Sequence, residues 1–223
     1  MHYQYLDRND WEIREAIGLD WESRKTYRED TRANFNWIPA TVPGSVANDL
    51  CQAGLIADPY YGLNSKAIEW ICDRTWVYRK KFTYEKHEMK RVRLIFKGLD
   101  YHAYIYLNDT LIGEHQSQFV PFIAEVSELL REGENQLSVV LLPSPIEQAQ
   151  IGRSSLVHTH KTRMSYWWDF APRMIHQGIW DQVYLDFDEG LDLDDVYLYS
   201  KLSDDLSQAE VHVELNTHRM YQG

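Results

Sequence analysis

Short runs in which apolar and polar residues alternate, each ended by turn chemistry, constrain this chain more than any other feature. From Trp76 to Tyr84, Trp76, Tyr78, Phe82 and Tyr84 fall on one side together with Lys80, while Val77, Arg79 and Lys81 oppose them. Arg91 to Lys97 alternates in the same way, with Val92, Leu94 and Phe96 inward. The runs Ala103–Leu107 and Leu111-Ile112 flank Asn108-Asp109-Thr110. Asn and Asp tolerate the left-handed backbone of a tight turn, so this stretch is predicted to be a hairpin. Gln136–Leu142 is an apolar strand stopped by Pro143, and Asp181–Phe187 places Val183, Leu185 and Phe187 on one face. Trp11-Glu12-Ile13 is a short first strand. Residues 37–44 contain Pro39 and Pro43, which confine them to a sheet edge or a linker. Asp20–Asn36, rich in charge and arginine, reads as an exposed excursion.

Helical signals are few. Ser45 suits an N-cap, Val46, Leu50 and Ala53 share a face, and Gly54 suits the C-terminal stop. One further turn is expected over Ser127–Arg131, stopped by Gly133. About eight short strands with so little helix is the pattern of an all-β sandwich or jelly roll. A boundary is expected near Asp186–Gly190, with residues 1–187 as the first domain. Beyond it, within 188–223, Asp195–Lys201 and Ala209–Asn216 form two more strands. Two strands make no stable sheet alone, so this part is predicted to begin a second β domain within a longer protein.

Charge narrows the partners. Against 23 Lys and Arg stand 34 Asp and Glu, a net charge of −11, with no basic stripe to offset it. Such a surface repels phosphate backbones, so nucleic acid is excluded as a partner, whereas a neutral sugar is indifferent to the field. No apolar run approaches the ~20 residues of a membrane span, so no membrane partner is expected. The polar start, Met1 to Trp11, lacks the order of a signal peptide, and a cytoplasmic location is the expectation. Cys51 and Cys72 show no metal-ligand spacing. His158-x-His160 with His176 fixes no third or fourth ligand, so neither metal nor cofactor is assigned.

One stretch stands apart from the strands: Tyr166-Trp167-Trp168-Asp169-Phe170-Ala171-Pro172-Arg173, closed by Gly178-Ile179-Trp180. Pro172 and Gly178 mark it as loop, where binding residues are commonly carried. An aromatic face can cover the C–H face of a pyranose, and a fixed carboxylate accepts hydrogen bonds from neighbouring hydroxyls. Trp167, Trp168, Asp169, Phe170 and Arg173 are therefore the candidate carbohydrate-binding residues. The competing reading is that the tryptophans only plug the end of a sandwich, in which case Trp167 and Trp168 should be fully buried.

An ordered series of motifs extends this reading. It comprises Val42-Pro43-Gly44-Ser45, the run Gly54 to Gly62 containing Asp58-Pro59-Tyr60-Tyr61, then Trp70 and Trp76-Val77-Tyr78-Arg79-Lys80. Phe96-Lys97-Gly98-Leu99-Asp100, Tyr106-Leu107-Asn108, Gly113 and Gly133-Glu134-Asn135 follow, and the series ends in the aromatic loop. Across about residues 37–187 the chain resembles the N-terminal domain of glycoside hydrolase family 2, in its β-mannosidase branch. The resemblance implies a galactose-binding-domain-like jelly-roll β-sandwich, then an immunoglobulin-like sandwich and a catalytic (β/α)₈ barrel. It also implies that a Trp-Asp-Trp segment of the jelly roll helps to form the pocket for a terminal β-linked sugar. Trp168 and Asp169 match its first two positions. Phe170 replaces the second Trp and loses the indole donor, Trp167 stands where glycine is common, and Arg173 is placed to orient Asp169.

Catalytic residues are not expected here. Retaining hydrolysis needs two carboxylates roughly 5–5.5 Å apart. In the family both come from the barrel, with the acid/base glutamate following an asparagine, and no Asn-Glu dipeptide occurs in the 223 residues. A barrel also needs about 250 residues of βα repeats. The expected parent is thus a β-mannosidase-like retaining exo-glycosidase whose missing barrel is this domain's intramolecular partner. The alternatives are a β-galactosidase or β-glucuronidase of the same family, a stand-alone carbohydrate-binding module, and a purely structural domain.

Overall fold

A computed structural model describes residues 2–17, 20–23, 37–86, 91–146, 157–188 and 192–218. Three antiparallel sheets carry the chain. The first has four strands, in the order β1 (His2–Tyr5), β10 (Val183–Asp188), β5 (Arg91–Phe96) and β8 (Phe122–Glu125). The second has six, in the order β3 (Ile38–Val42), β2 (Arg8–Ala16), β4 (Thr75–Tyr84), β9 (Gly133–Leu141), β6 (His102–Leu107) and β7 (Thr110–Gln116). The third is a ribbon of β11 (Asp192–Leu202) and β12 (Ala209–His218).

Alternation along each strand decides how the first two sheets meet. Leu94, Phe96, Val183, Leu185 and Phe187 from one share a core with Ile13, Tyr78, Phe82, Ile105, Leu137 and Val139 from the other. The Tyr84 and Phe187 rings stack across that interface with centroids 6.2 Å apart. This is the all-β jelly-roll type of sandwich that the strand pattern predicts. Proline places β3 correctly, since Pro39 lies in the edge strand of its sheet. Asn108 and Asp109 take φ of 48° and 68° at the β6–β7 hairpin. Helix α2 (Val46–Gln52) is capped as expected, with Ser45 Oγ accepting from Asn48 N–H at 3.3 Å and Gly54 at φ 71° just past its end.

Three expectations need correction, the first being strand β8, which the sequence reading lacks and which pairs with β5. Strand β1, absent from the sequence reading, pairs with β10, where Tyr3 and Tyr5 pack against Tyr184. The segment from Asp20 is not simply exposed: in the short helix α1 (Asp20–Ser23), Trp21 is buried and stacks on Tyr104 at 5.4 Å. It covers the outer face of the six-stranded sheet, where Val77, Tyr106 and Val140 form a second apolar cluster. Residues 24–36 of that excursion lie outside the described residues.

The ribbon differs from both sheets. Val196, Leu198, Val211, Val213 and Leu215 are all exposed, and none of the core residues comes from 196–216. Among the described residues, no helix is long and apolar enough to cross a membrane.

Candidate functional site: an aromatic hairpin between β9 and β10

All five predicted site residues lie in the long connection from β9 to β10, and local bonding explains its shape. Arg163–Tyr166 forms a 3₁₀ turn in which Ser165 Oγ donates to Thr162 O at 2.7 Å. The Tyr166 hydroxyl is buried and donates to Pro145 O at 2.7 Å. Burial holds that phenol well above its ordinary range, so it remains a donor. Two rungs then close a hairpin. Met174 N–H donates to Ser165 O at 2.8 Å, while Trp168 and Ala171 exchange both backbone bonds, at 3.1 and 3.3 Å. Asp169 and Phe170 are left at the tip.

The conformation of the tip follows from Trp167, whose φ is +125°. Glycine adopts that backbone freely, whereas a tryptophan held there costs on the order of 1–3 kcal/mol. The position where the family resemblance places a glycine thus keeps the glycine-like backbone and gains an indole. Trp167 is 60% exposed, Phe170 is 75% exposed, Asp169 is exposed and Trp168 is partly buried. A plug for the sandwich end would be buried, so packing alone does not account for this tip. Arg173 is partly buried, and its positive charge favours the ionised forms of Tyr166 and Cys72. It therefore lies near the base of the hairpin, where Tyr166 is anchored.

The base is polar and densely hydrogen-bonded. The Trp180 indole donates to Gln118 O at 2.9 Å and packs flat on Gly98, where a Cβ would collide with the ring. Gln118 Oε1 accepts from the Thr162 amide at 2.6 Å and hydroxyl at 2.9 Å. The Gln177 side chain donates to Arg74 O at 3.1 Å and Leu142 O at 2.6 Å. Gly44 and Val46 donate backbone bonds to Ile179 O and Gln177 O, at 2.8 and 2.9 Å. Gly178 fits there only without a side chain, since a Cβ would sit 2.7 Å from Gly44 O. Beneath this contact, buried Asp49 accepts from Thr41 N–H at 2.9 Å and from the Tyr78 hydroxyl at 3.4 Å.

Buried Lys161 and Asp100 form an ion pair, and Lys161 Nζ also donates to His176 O at 2.7 Å. Burial pushes the Asp100 carboxyl up and the Lys161 ammonium down, while the opposite charge beside each restrains the shift. Sequence reasoning missed Lys161, which sits in a polar stretch with no pattern. Asp100 and Gly178 carried a signal only as members of the motif series.

Chemically the tip offers one exposed carboxylate, a hydrogen-bond acceptor, beside exposed aromatic faces. Among the described residues no group of three or more His, Cys, Asp or Glu side chains converges to hold a metal ion.

Comparison with known proteins agrees with the fold. The sequence is 29% identical over 216 residues to β-mannosidase of Rattus norvegicus, covering 87% of this chain and 24% of the relative. It is 31% identical over 201 residues to mannosylglycoprotein endo-β-mannosidase of Lilium longiflorum, covering 84% of this chain and 21% of that protein. The crystal structure of β-D-mannosidase from Dictyoglomus thermophilum superposes with a TM-score of 0.79 at 31% identity, over 96% of this chain and 26% of that one. The chain thus spans about a quarter of the length of the relatives it matches. The family described as glycosyl hydrolase 2 galactose-binding domain-like matches residues 11–181, and with the sandwich and its aromatic hairpin in place, the chain belongs to that family.

Proposed function

We propose that this chain is the sugar-recognition and scaffolding part of a β-mannosidase-like retaining exo-glycosidase. The sandwich presents Trp168 and Asp169 to the terminal β-linked sugar, and a barrel outside these residues supplies both catalytic carboxylates. The observation that carries this reading is the tip itself: exposed Trp167, Asp169 and Phe170 project from a base in which Gln118 and Gln177 are buried and bonded. Sites held this way lose little ordering entropy when ligand binds. Residues 188–223 fit the start of an immunoglobulin-like sandwich, because the ribbon's apolar side chains lack a facing sheet.

The test is Asp169→Ala in the full-length protein. A carboxylate that accepts bonds from two hydroxyls contributes about 1.5–3 kcal/mol, so kcat/KM for a β-mannoside should fall roughly 10- to 100-fold. Unchanged kinetics would remove Asp169 from the sugar pocket. Calorimetry separates this reading from a stand-alone carbohydrate-binding module. A module binds free oligosaccharide measurably as the 223-residue chain, whereas half a pocket gives no heat.

A further inference from the structure

The Lys161–Asp100 pair is unusual for its place. Lys161 lies where the chain enters the hairpin, and its ammonium holds both Asp100 and the carbonyl of His176, where the chain leaves. Asp100 in turn exchanges both backbone bonds with Gly178, at 2.9 and 3.0 Å. One buried cation therefore ties the two ends of the 162–175 excursion to each other and to the sandwich. Both side chains are 1% exposed, and Asp100 Oδ2 has no hydrogen-bond partner among the described residues. Compensation of that carboxylate rests on Lys161.

A buried ion pair is a poor device for stability, because desolvation offsets most of its attraction; where such pairs serve a purpose it is geometric specificity. The hairpin beyond it needs such specificity. Its tip is exposed, its two rungs are backbone bonds, and Trp167 is held in a strained conformation. We propose that Lys161 and Asp100 are positioning residues: they set the angle at which the hairpin leaves the sandwich, and hence where Trp168 and Asp169 meet the sugar. This rests on the sugar-recognition reading above.

The experiment compares Lys161→Met, Asp100→Asn and the double variant with wild type, by amide hydrogen exchange on the 223-residue chain. Exchange at Ala171 and Met174, whose amides form the rungs, should accelerate about tenfold or more in each single variant, and no further in the double, because the two groups act as one unit. Amides of Val139 and Leu141 in β9 should keep their protection. Unchanged exchange at 171 and 174 would overturn the proposal, as would an equal acceleration in β9, the mark of a general loss of fold.

The second readout is kinetic, in the full-length protein. Lys161→Met should raise KM for a β-mannoside by about tenfold, with a smaller change in kcat, because a misplaced contact weakens binding before it alters the distant carboxylates. If Asp169→Ala impairs turnover while Lys161→Met leaves KM unchanged, the positioning role is wrong. If the hairpin loosens but Asp169→Ala is silent, it is the sugar reading that fails.

Discussion

Strands β4 and β11 obey the same period-two rule and meet opposite fates. In β4, Trp76, Tyr78, Phe82 and Tyr84 are at most 8% exposed, because the four-stranded sheet lies across from them. In β11, Val196 is 47% and Leu198 61% exposed, although β12 pairs with it over ten positions. Both strands are paired, but β4 has a neighbour on each side and a sheet across from it, while β11 has β12 alone. A ladder satisfies the backbone, but only a second layer removes apolar side chains from water.

Acids in the two regions tell the same story with opposite sign. Burial pushes the Asp49 carboxyl up to about 6, against the restraint of Thr41 N–H and the Tyr78 hydroxyl. Asp205, in the exposed β11–β12 turn, is held down to about 2 by the hydroxyls of Ser203 and Ser207 and the Ser207 amide. Desolvation dominates where α2 covers β3 and β4, and local hydrogen bonds dominate in the open turn.

The largest effect expected from this contrast is at Phe96, fully buried between the sheets. Phe96→Ala should cost about 3–5 kcal/mol in urea unfolding. A cost under 1 kcal/mol would mean that the interface is not a packed core.

Next comes the pH dependence. Because Asp49 has a raised pKa in the folded state, the protonated acid favours folding. That stability is fully present below its ordinary value of 3.8 and is lost as pH rises through about 6. Two pKa units correspond to about 3 kcal/mol, and Asp49→Asn should flatten unfolding free energy between pH 4 and 7 by up to that amount. An unaltered slope would show that Asp49 titrates normally. For Asp205 the sign reverses: its contribution exists above pH 3.8 and disappears as pH falls through about 2, so a carboxyl titration by NMR should place its midpoint near there.

The smallest effect belongs to the ribbon. Leu198→Ala should change unfolding free energy by less than about 0.5 kcal/mol in the 223-residue chain, as expected of an exposed side chain. In a full-length protein with a sheet facing β11, the same substitution should cost about 2–5 kcal/mol. Equal small costs in both settings would argue against a second sandwich.

Much of the fold was legible because its signals are local. Period-two alternation marked β4, β5 and β10, the run Ala103–Leu107 beside its turn marked β6, and Pro39 confined its run to a sheet edge or a linker. Asn108-Asp109 marked a left-handed turn, and Ser45 with Gly54 marked the ends of α2. The loop bearing Trp167, Trp168, Asp169, Phe170 and Arg173 was legible from its composition. Strand β1 was not, since His-Tyr-Gln-Tyr alternates over only four residues, too short a run to read as a strand, and is ordered by pairing with β10 more than 170 positions away. Nor was the burial of Trp21, which depends on the outer face of a sheet assembled from distant strands.

The sequence by itself determined most of the strands, where the chain turns, and that an aromatic, acidic loop interrupts the pattern, because each depends on neighbours a few positions apart. Tertiary structure alone decided that Trp167 and Phe170 face solvent, that Asp49 is pushed toward neutrality, and that Lys161 meets Asp100 and the His176 carbonyl. Those outcomes turn on desolvation and on contacts between residues as far apart as positions 100 and 161, and no local pattern encodes either.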